Sequence, residues 1–102
     1  MWPDRTILIA ERRASATNLS IDKTGFAQTG PVLGSPELEI KDASKGGWLF
    51  YEVAQGEGTA MSLPKSKACY SCHAEHAAVD STFVQFYPTL VDAAKRNGTY
   101  RE

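Results

Sequence analysis

Both cysteines of this chain fall inside one five-residue stretch, Cys69-Tyr70-Ser71-Cys72-His73, and no other feature restricts the fold as tightly. Two residues between the thiols bring both sulfurs to one turn of a helix, with an imidazole directly after them. That is the attachment pattern of a c-type haem. At this spacing each sulfur can form a thioether with one vinyl group of the same porphyrin, and His73 can then hold the iron. Three other readings use the same residues. A redox dithiol expects its pair at the end of a strand in a βαβ unit, and no such unit precedes Cys69. Zinc held by Cys69, Cys72, His73 and His76 has the right ligand types. All four, however, crowd into eight residues, whereas zinc modules separate their two ligand pairs by roughly a dozen residues or more. A disulfide between cysteines three apart closes too small a loop to stabilise much.

The partner opposite His73 would decide between electron transfer and chemistry. An electron-transfer haem usually takes a Met or a second His there. Met1 and Met61 both precede the attachment site, and none follows it. His76 lies three residues beyond His73 on nearly the same helix face and reads as a partly exposed histidine. A five-coordinate iron with one open face is therefore expected. The groups available to line that face are Phe26, Ile7, Ile9, Ile40, Leu49, Phe50 and Tyr51. In a strand only alternate residues share a face, so either Trp48, Phe50 and Glu52 or Leu49, Tyr51 and Val53 point inward. Most of these aromatics read as ordinary core, and Glu52 reads as solvated.

Along the chain, Thr6 to Ala10 is an apolar run that ends in Glu11-Arg12-Arg13 and reads as a strand. Residues 14 to 36 are rich in Ser, Thr, Gly and Pro and leave room for at most two short strands. Glu37-Leu38-Glu39-Ile40-Lys41 alternates with period two and pairs naturally with Trp48 to Val53, across a turn that contains Gly46 and Gly47. After a loop at 55–59 the composition shifts to Ala, Cys, His and helix formers. Pro64 suits the first turn of a helix running through Cys69 and His73, and Asp80 suits the cap of a second starting near Ser81. Pro88 divides Thr82 to Asn97 into two helices or one kinked helix, stopped by Gly98. The sum is an α+β domain: a mostly antiparallel sheet in 1–60, and C-terminal helices in 61–102 that carry the attachment motif.

One domain of 102 residues hides only about 65% of the surface of its unfolded form, so a covalent cofactor would add stability it needs. Eleven basic against twelve acidic residues leave a charge of −1, too weak a field to gather nucleic acid or acidic lipid. No stretch approaches the roughly 20 apolar residues that cross a bilayer, and the opening lacks the pattern of an export signal. Haem c is attached outside the cytoplasm, so the favoured reading is that the natural chain begins earlier.

The pentad Cys69-Tyr70-Ser71-Cys72-His73, followed by Ala77-Ala78-Val79-Asp80-Ser81-Thr82-Phe83-Val84-Gln85-Phe86-Tyr87-Pro88-Thr89-Leu90, resembles the cytochrome P-460 family, as do Gly46-Gly47-Trp48 and Leu63-Pro64-Lys65. The likeness runs from Trp2 to the C-terminus and corresponds to the later part of that family's domain. It implies a mostly antiparallel β fold with helices, a homodimer, and one haem c bound through Cys69 and Cys72 with His73 as the proximal iron ligand. It further implies oxidation of hydroxylamine to nitrogen oxides in the bacterial periplasm, with a soluble redox-partner cytochrome taking the electrons.

The family's lysine cross-link to the porphyrin edge has no clear counterpart. Ala10-Glu11 stands where relatives carry Lys-Glu, and Lys23, Lys41 and Lys45 read as solvated surface charges. Without that cross-link the chain resembles the related cytochrome c′-β group, which binds NO or CO at an open haem face without turnover.

Overall fold

The computed structural model describes residues 1–16, 28–54 and 56–102. Its centre is a four-stranded antiparallel sheet in the order β1-β4-β5-β6, formed by Ile7–Ala10, Glu37–Asp42, Gly47–Val53 and Ala60–Ser62. The period-two hairpin forms as expected, with Ile40 opposite Leu49 and Leu38 opposite Tyr51. Strand β1 adds to its outer side, with Ile7 opposite Ile40 and Ile9 opposite Leu38. A separate two-stranded sheet joins β2, Arg13–Ala16, to β3, Gln28–Val32. Helix α1 covers Ala68–His76, a 3₁₀ turn covers Val84–Phe86, and α2 covers Pro88–Arg96. An antiparallel sheet followed by helices is the α+β arrangement.

The hairpin turn is a short 3₁₀ segment, Ala43–Lys45, and Gly46 and Gly47 leave it at φ of 82° and 112°. Backbone of this hand is open to glycine without the Cβ clash that other residues meet. Asp42 Oδ1 accepts hydrogen bonds from Ser44 N at 3.0 Å and Ser44 Oγ at 2.6 Å, which closes the turn. The Ser44 hydroxyl chiefly lowers the Asp42 pKa, against a smaller rise from burial. A carboxylate whose folded pKa lies below its unfolded one adds stability above the unfolded value and loses it as pH falls through the folded value. Asp42→Asn is therefore expected to lower the urea midpoint slightly at pH 7 while flattening its decline in acid. Equal acid limbs for the two proteins would contradict this.

Sheet and helices differ from the sequence expectation in four places. Strand β6 occupies Ala60–Ser62, where helix was anticipated, because β5 offers a free edge and takes Ser62 and Met61 opposite Tyr51 and Glu52. Leu63 N continues this contact to Phe50 O at 2.8 Å. The strand-rich part therefore runs past residue 60, and α1 begins at Ala68 rather than at Pro64, whose carbonyl instead accepts from Lys67 N at 2.9 Å. Asp80 caps no helix: it and Ser81 have φ of 44° and 59° in a tight turn. Within 82–97 only the part from Pro88 onward is α-helix, with proline at its first position and Gly98 at φ 63° after its end.

Trp48, Leu49 and Phe50 are all buried, so the two alternating sets on β5 do not separate into an inner and an outer one, although Glu52 is solvated as expected. A second cluster joins Val79, Val84 and Ala94 to Trp2, Val91 and Tyr100, which fixes α2 beside the turn after α1. Among the described residues no large side chain is fully buried. The radius of gyration of 15.9 Å exceeds the ~13 Å of a compact chain this long. Much apolar surface consequently remains open, including Ile7 and Ile9 on β1 and Phe86 and Tyr87 before α2.

Candidate functional site

Helix α1 buries none of its residues fully, so an apolar stripe is not what holds it. Polar fastenings do so at both ends. The Tyr70 hydroxyl, inside the cysteine pentad, accepts from Phe50 N at 3.0 Å and donates to Leu63 O at 3.3 Å, which ties the first turn to β5 and β6. At the C-terminal end the last carbonyls of a helix lack internal donors. Arg101 supplies them to Ala74, Glu75 and Ala77 at 3.0, 2.5 and 2.8 Å. Gln85 Nε2 serves His76 O at 2.8 Å, while its Oε1 accepts from Ala78 N at 3.0 Å. The helix is thus set against the sheet with one side left uncovered.

On that side lies a mostly apolar cavity of about 460 Å³, within the ~300–1,000 Å³ usual for small-molecule and cofactor sites. Cys69 and His73 line it together with Phe50, Leu63, Phe83 and Glu39. Both cysteines are free thiols; Cys69 is partly covered and Cys72 is exposed, outside the lining. Three residues apart on one helix, the two sulfurs sit on neighbouring faces of α1.

The imidazole of His73 is the best-determined group in the site. Phe50 and Phe83 both meet it edge to face, with ring centroids 4.8 and 4.7 Å away. Its Nδ1 stands 2.9 Å from Ser81 O and 3.1 Å from Glu39 Oε1. A carbonyl oxygen can only accept, so Nδ1 carries a proton, and in the neutral form of the ring the free lone pair lies on Nε2. Nε2 has no hydrogen-bond partner among the described residues. A metal-ligating histidine is usually held in this way, with its other nitrogen donating to a carbonyl or carboxylate.

Glu39 is mostly covered, and burial raises its carboxyl pKa against the opposing pull of His73, with Glu37 adding to the rise. Its second oxygen, Oε2, is buried without a hydrogen-bond partner among the described residues. A buried polar atom of this kind calls for an explanation, such as a proton or a ligand donor.

Compared with known protein families and with curated proteins, the chain finds no match. The site must be judged on its own chemistry.

On that ground the residues fit a covalently held haem. The cavity is mostly apolar, and a thiol and an imidazole whose Nδ1 donates to a carbonyl share its wall. Neither His76 nor Met61 lines the cavity; both are exposed. Among the described residues no group of three or more His, Cys, Asp or Glu is arranged to hold a metal ion.

Several sequence expectations are altered. Lys41 is no surface charge: its side chain is 12% exposed and pairs with Asp80, 19% exposed, in a short ion pair. The Lys41 Nζ also lies 5.8 Å from the Trp48 ring centroid. The reason is position, since Lys41 lies opposite Trp48 in the hairpin register and faces the turn after α1. Lys45 is exposed, and Lys23 and Phe26 lie outside the described residues. Glu39, Tyr70, Ser81 and Phe83 join the site without having stood out in the sequence. Glu39 gave no signal of its own, being one of four charged residues in the alternating strand Glu37–Asp42.

Proposed function

We propose that this chain is a periplasmic c-type haem protein of the cytochrome P-460 type. It would bind one haem c through Cys69 and Cys72, with His73 as proximal ligand, and oxidise hydroxylamine to nitrogen oxides. The observation that carries this reading is the pairing of Cys69 and His73 on one cavity wall, with the imidazole Nδ1–H committed to the Ser81 carbonyl. Haem, when bound, supplies a redox-active iron with one position open to a small nitrogenous ligand, and the difficult electron chemistry belongs to it. The chain's own residues do the rest. His73 would hold the iron, Ser81 and Glu39 orient its imidazole, and Phe50 and Phe83 pack edge to face against it. Glu39, whose burial favours the neutral carboxyl, can hold or pass a proton at Oε2. Electrons would leave to a soluble redox-partner cytochrome.

A second reading is favoured by the lysines. Lys41 is engaged by Asp80, Lys45 is exposed, and no lysine among the described residues lines the cavity. This supports a protein like cytochrome c′-β, which binds NO or CO without turnover. Steady-state oxidation of hydroxylamine by haem-loaded protein with an artificial electron acceptor separates the two. Turnover that exceeds free haem supports the oxidase. Tight ferrous NO binding without turnover supports the gas binder.

Ile7, Ile9, Phe86 and Tyr87 are all exposed, and burial of such apolar side chains against a second copy would support a homodimer. Sedimentation of the loaded protein is expected to give twice the chain mass, and a monomer across the micromolar range would contradict that.

A further inference from the structure

We infer that the Lys41–Asp80 ion pair is a positioning device for His73, acting through the left-handed turn that joins them. The inference rests on His73 as the proximal ligand, as proposed above.

Val79, Asp80, Ser81 and Thr82 form a tight turn whose ends bond to each other, Thr82 N to Val79 O at 2.7 Å and Val79 N to Thr82 O at 3.3 Å. Both central residues have positive φ, the pattern of a type I′ turn. Such turns ordinarily use Gly or Asn at these positions, and a serine there is strained. Non-glycine residues persist in this region only where their surroundings over-determine them.

The surroundings here come from distant parts of the chain. Asp80 Oδ2 takes the Lys41 ammonium and accepts from Trp2 N at 3.2 Å. Thr82 Oγ1 accepts from Trp2 Nε1 at 2.8 Å and donates to Val79 O at 2.6 Å. With the turn's ends satisfied by each other, the Ser81 carbonyl is free of the turn's own bonds and receives His73 Nδ1–H. A relaxed turn would aim that carbonyl elsewhere. Lys41 and Asp80 thereby fix the tautomer and the direction of a ring they do not touch.

The test uses the full chain and two readouts: the ¹⁵N shifts of the His73 imidazole, and the iron–histidine stretching band of the haem-loaded ferrous protein. In the parent, Nδ1 is expected protonated and Nε2 bare. Lys41→Met and Asp80→Ala should each lower the ratio of Nδ1-H to Nε2-H tautomers about fivefold, the population equivalent of one net hydrogen bond, and shift and broaden the band. Lys41→Arg should restore both. Ser81→Gly, which relaxes the strain while keeping the carbonyl, should broaden the band alone. If Asp80→Ala does not fold, Lys41→Met breaks the same pair from the other side. Unchanged tautomer and band in a folded Lys41→Met protein would overturn the inference. Failure of the parent to take up haem, with the tautomer still following Lys41, would instead overturn the haem reading and leave the positioning role standing.

Discussion

Replacing Cys69 and Cys72 together with alanine is expected to abolish covalent haem attachment while leaving the unloaded chain as stable as its parent. These are the only thiols in the sequence, so no other side chain can form a thioether. Cys72 is exposed, Cys69 is only partly covered, and neither is engaged in a disulfide. Because α1 is fastened through Tyr70, Arg101 and Gln85 rather than through its sulfurs, the double change counts as a surface substitution, within about 0.5 kcal/mol. Haem stain on a denaturing gel should go from full to none, with the urea midpoint of the unloaded chain unmoved. In the parent, attachment should raise the midpoint, because the tethered haem stays on the chain in both states but packs into the cavity and meets His73 only in the folded one. Haem that survives denaturation of the double variant would refute the attachment chemistry.

The largest effect on stability is expected from Phe50→Ala, at about 3–5 kcal/mol. Phe50 is 6% exposed on β5, which lies between β4 and β6. Its ring meets Tyr70 edge to face at 4.5 Å as well as His73, and its backbone N–H and C=O bond to Tyr70 Oη and Leu63 N. Removing the ring enlarges the cavity beside it, and the hydrogen-bonded neighbours cannot collapse into the space. A domain this small is expected near the low end of the ~5–15 kcal/mol typical of folded proteins, so the change would consume much of the total. Urea unfolding of the unloaded chain measures it, and a loss below about 1 kcal/mol would show that the ring does not join helix to sheet. Tyr70→Phe should cost less, about 1–3 kcal/mol, by leaving the Phe50 N–H without its partner.

The legible part of the sequence was local. The β4–β5 hairpin follows from alternation and glycine placement, β1 from an apolar run, α2 from Pro88 and Gly98, and the cysteine pentad from its spacing. The illegible part depends on partners far along the chain. Ala60-Met61-Ser62 has weak strand character of its own and becomes β6 because β5 has an unpaired edge. Asp80 looks like a helix cap because Ser and Thr come directly after it; an ammonium 39 residues earlier makes it the pivot of a turn instead. Glu39 sits at an unremarkable polar position of an alternating strand, and only the packing of α1 brings it to His73. In the pentad the cysteines and histidine were visible, whereas the tyrosine between them, which anchors the helix, reads as filler.

The most direct measurement on the central claim is made on chain matured with a cytochrome c assembly system, by denaturing intact mass together with the ferric electron paramagnetic resonance spectrum. The account predicts a mass raised by one haem, mapped to the peptide containing Cys69 and Cys72, and a high-spin signal from iron held on one side by His73. An unmodified mass, or a low-spin signal from iron capped on both faces by side chains of the protein, would contradict it.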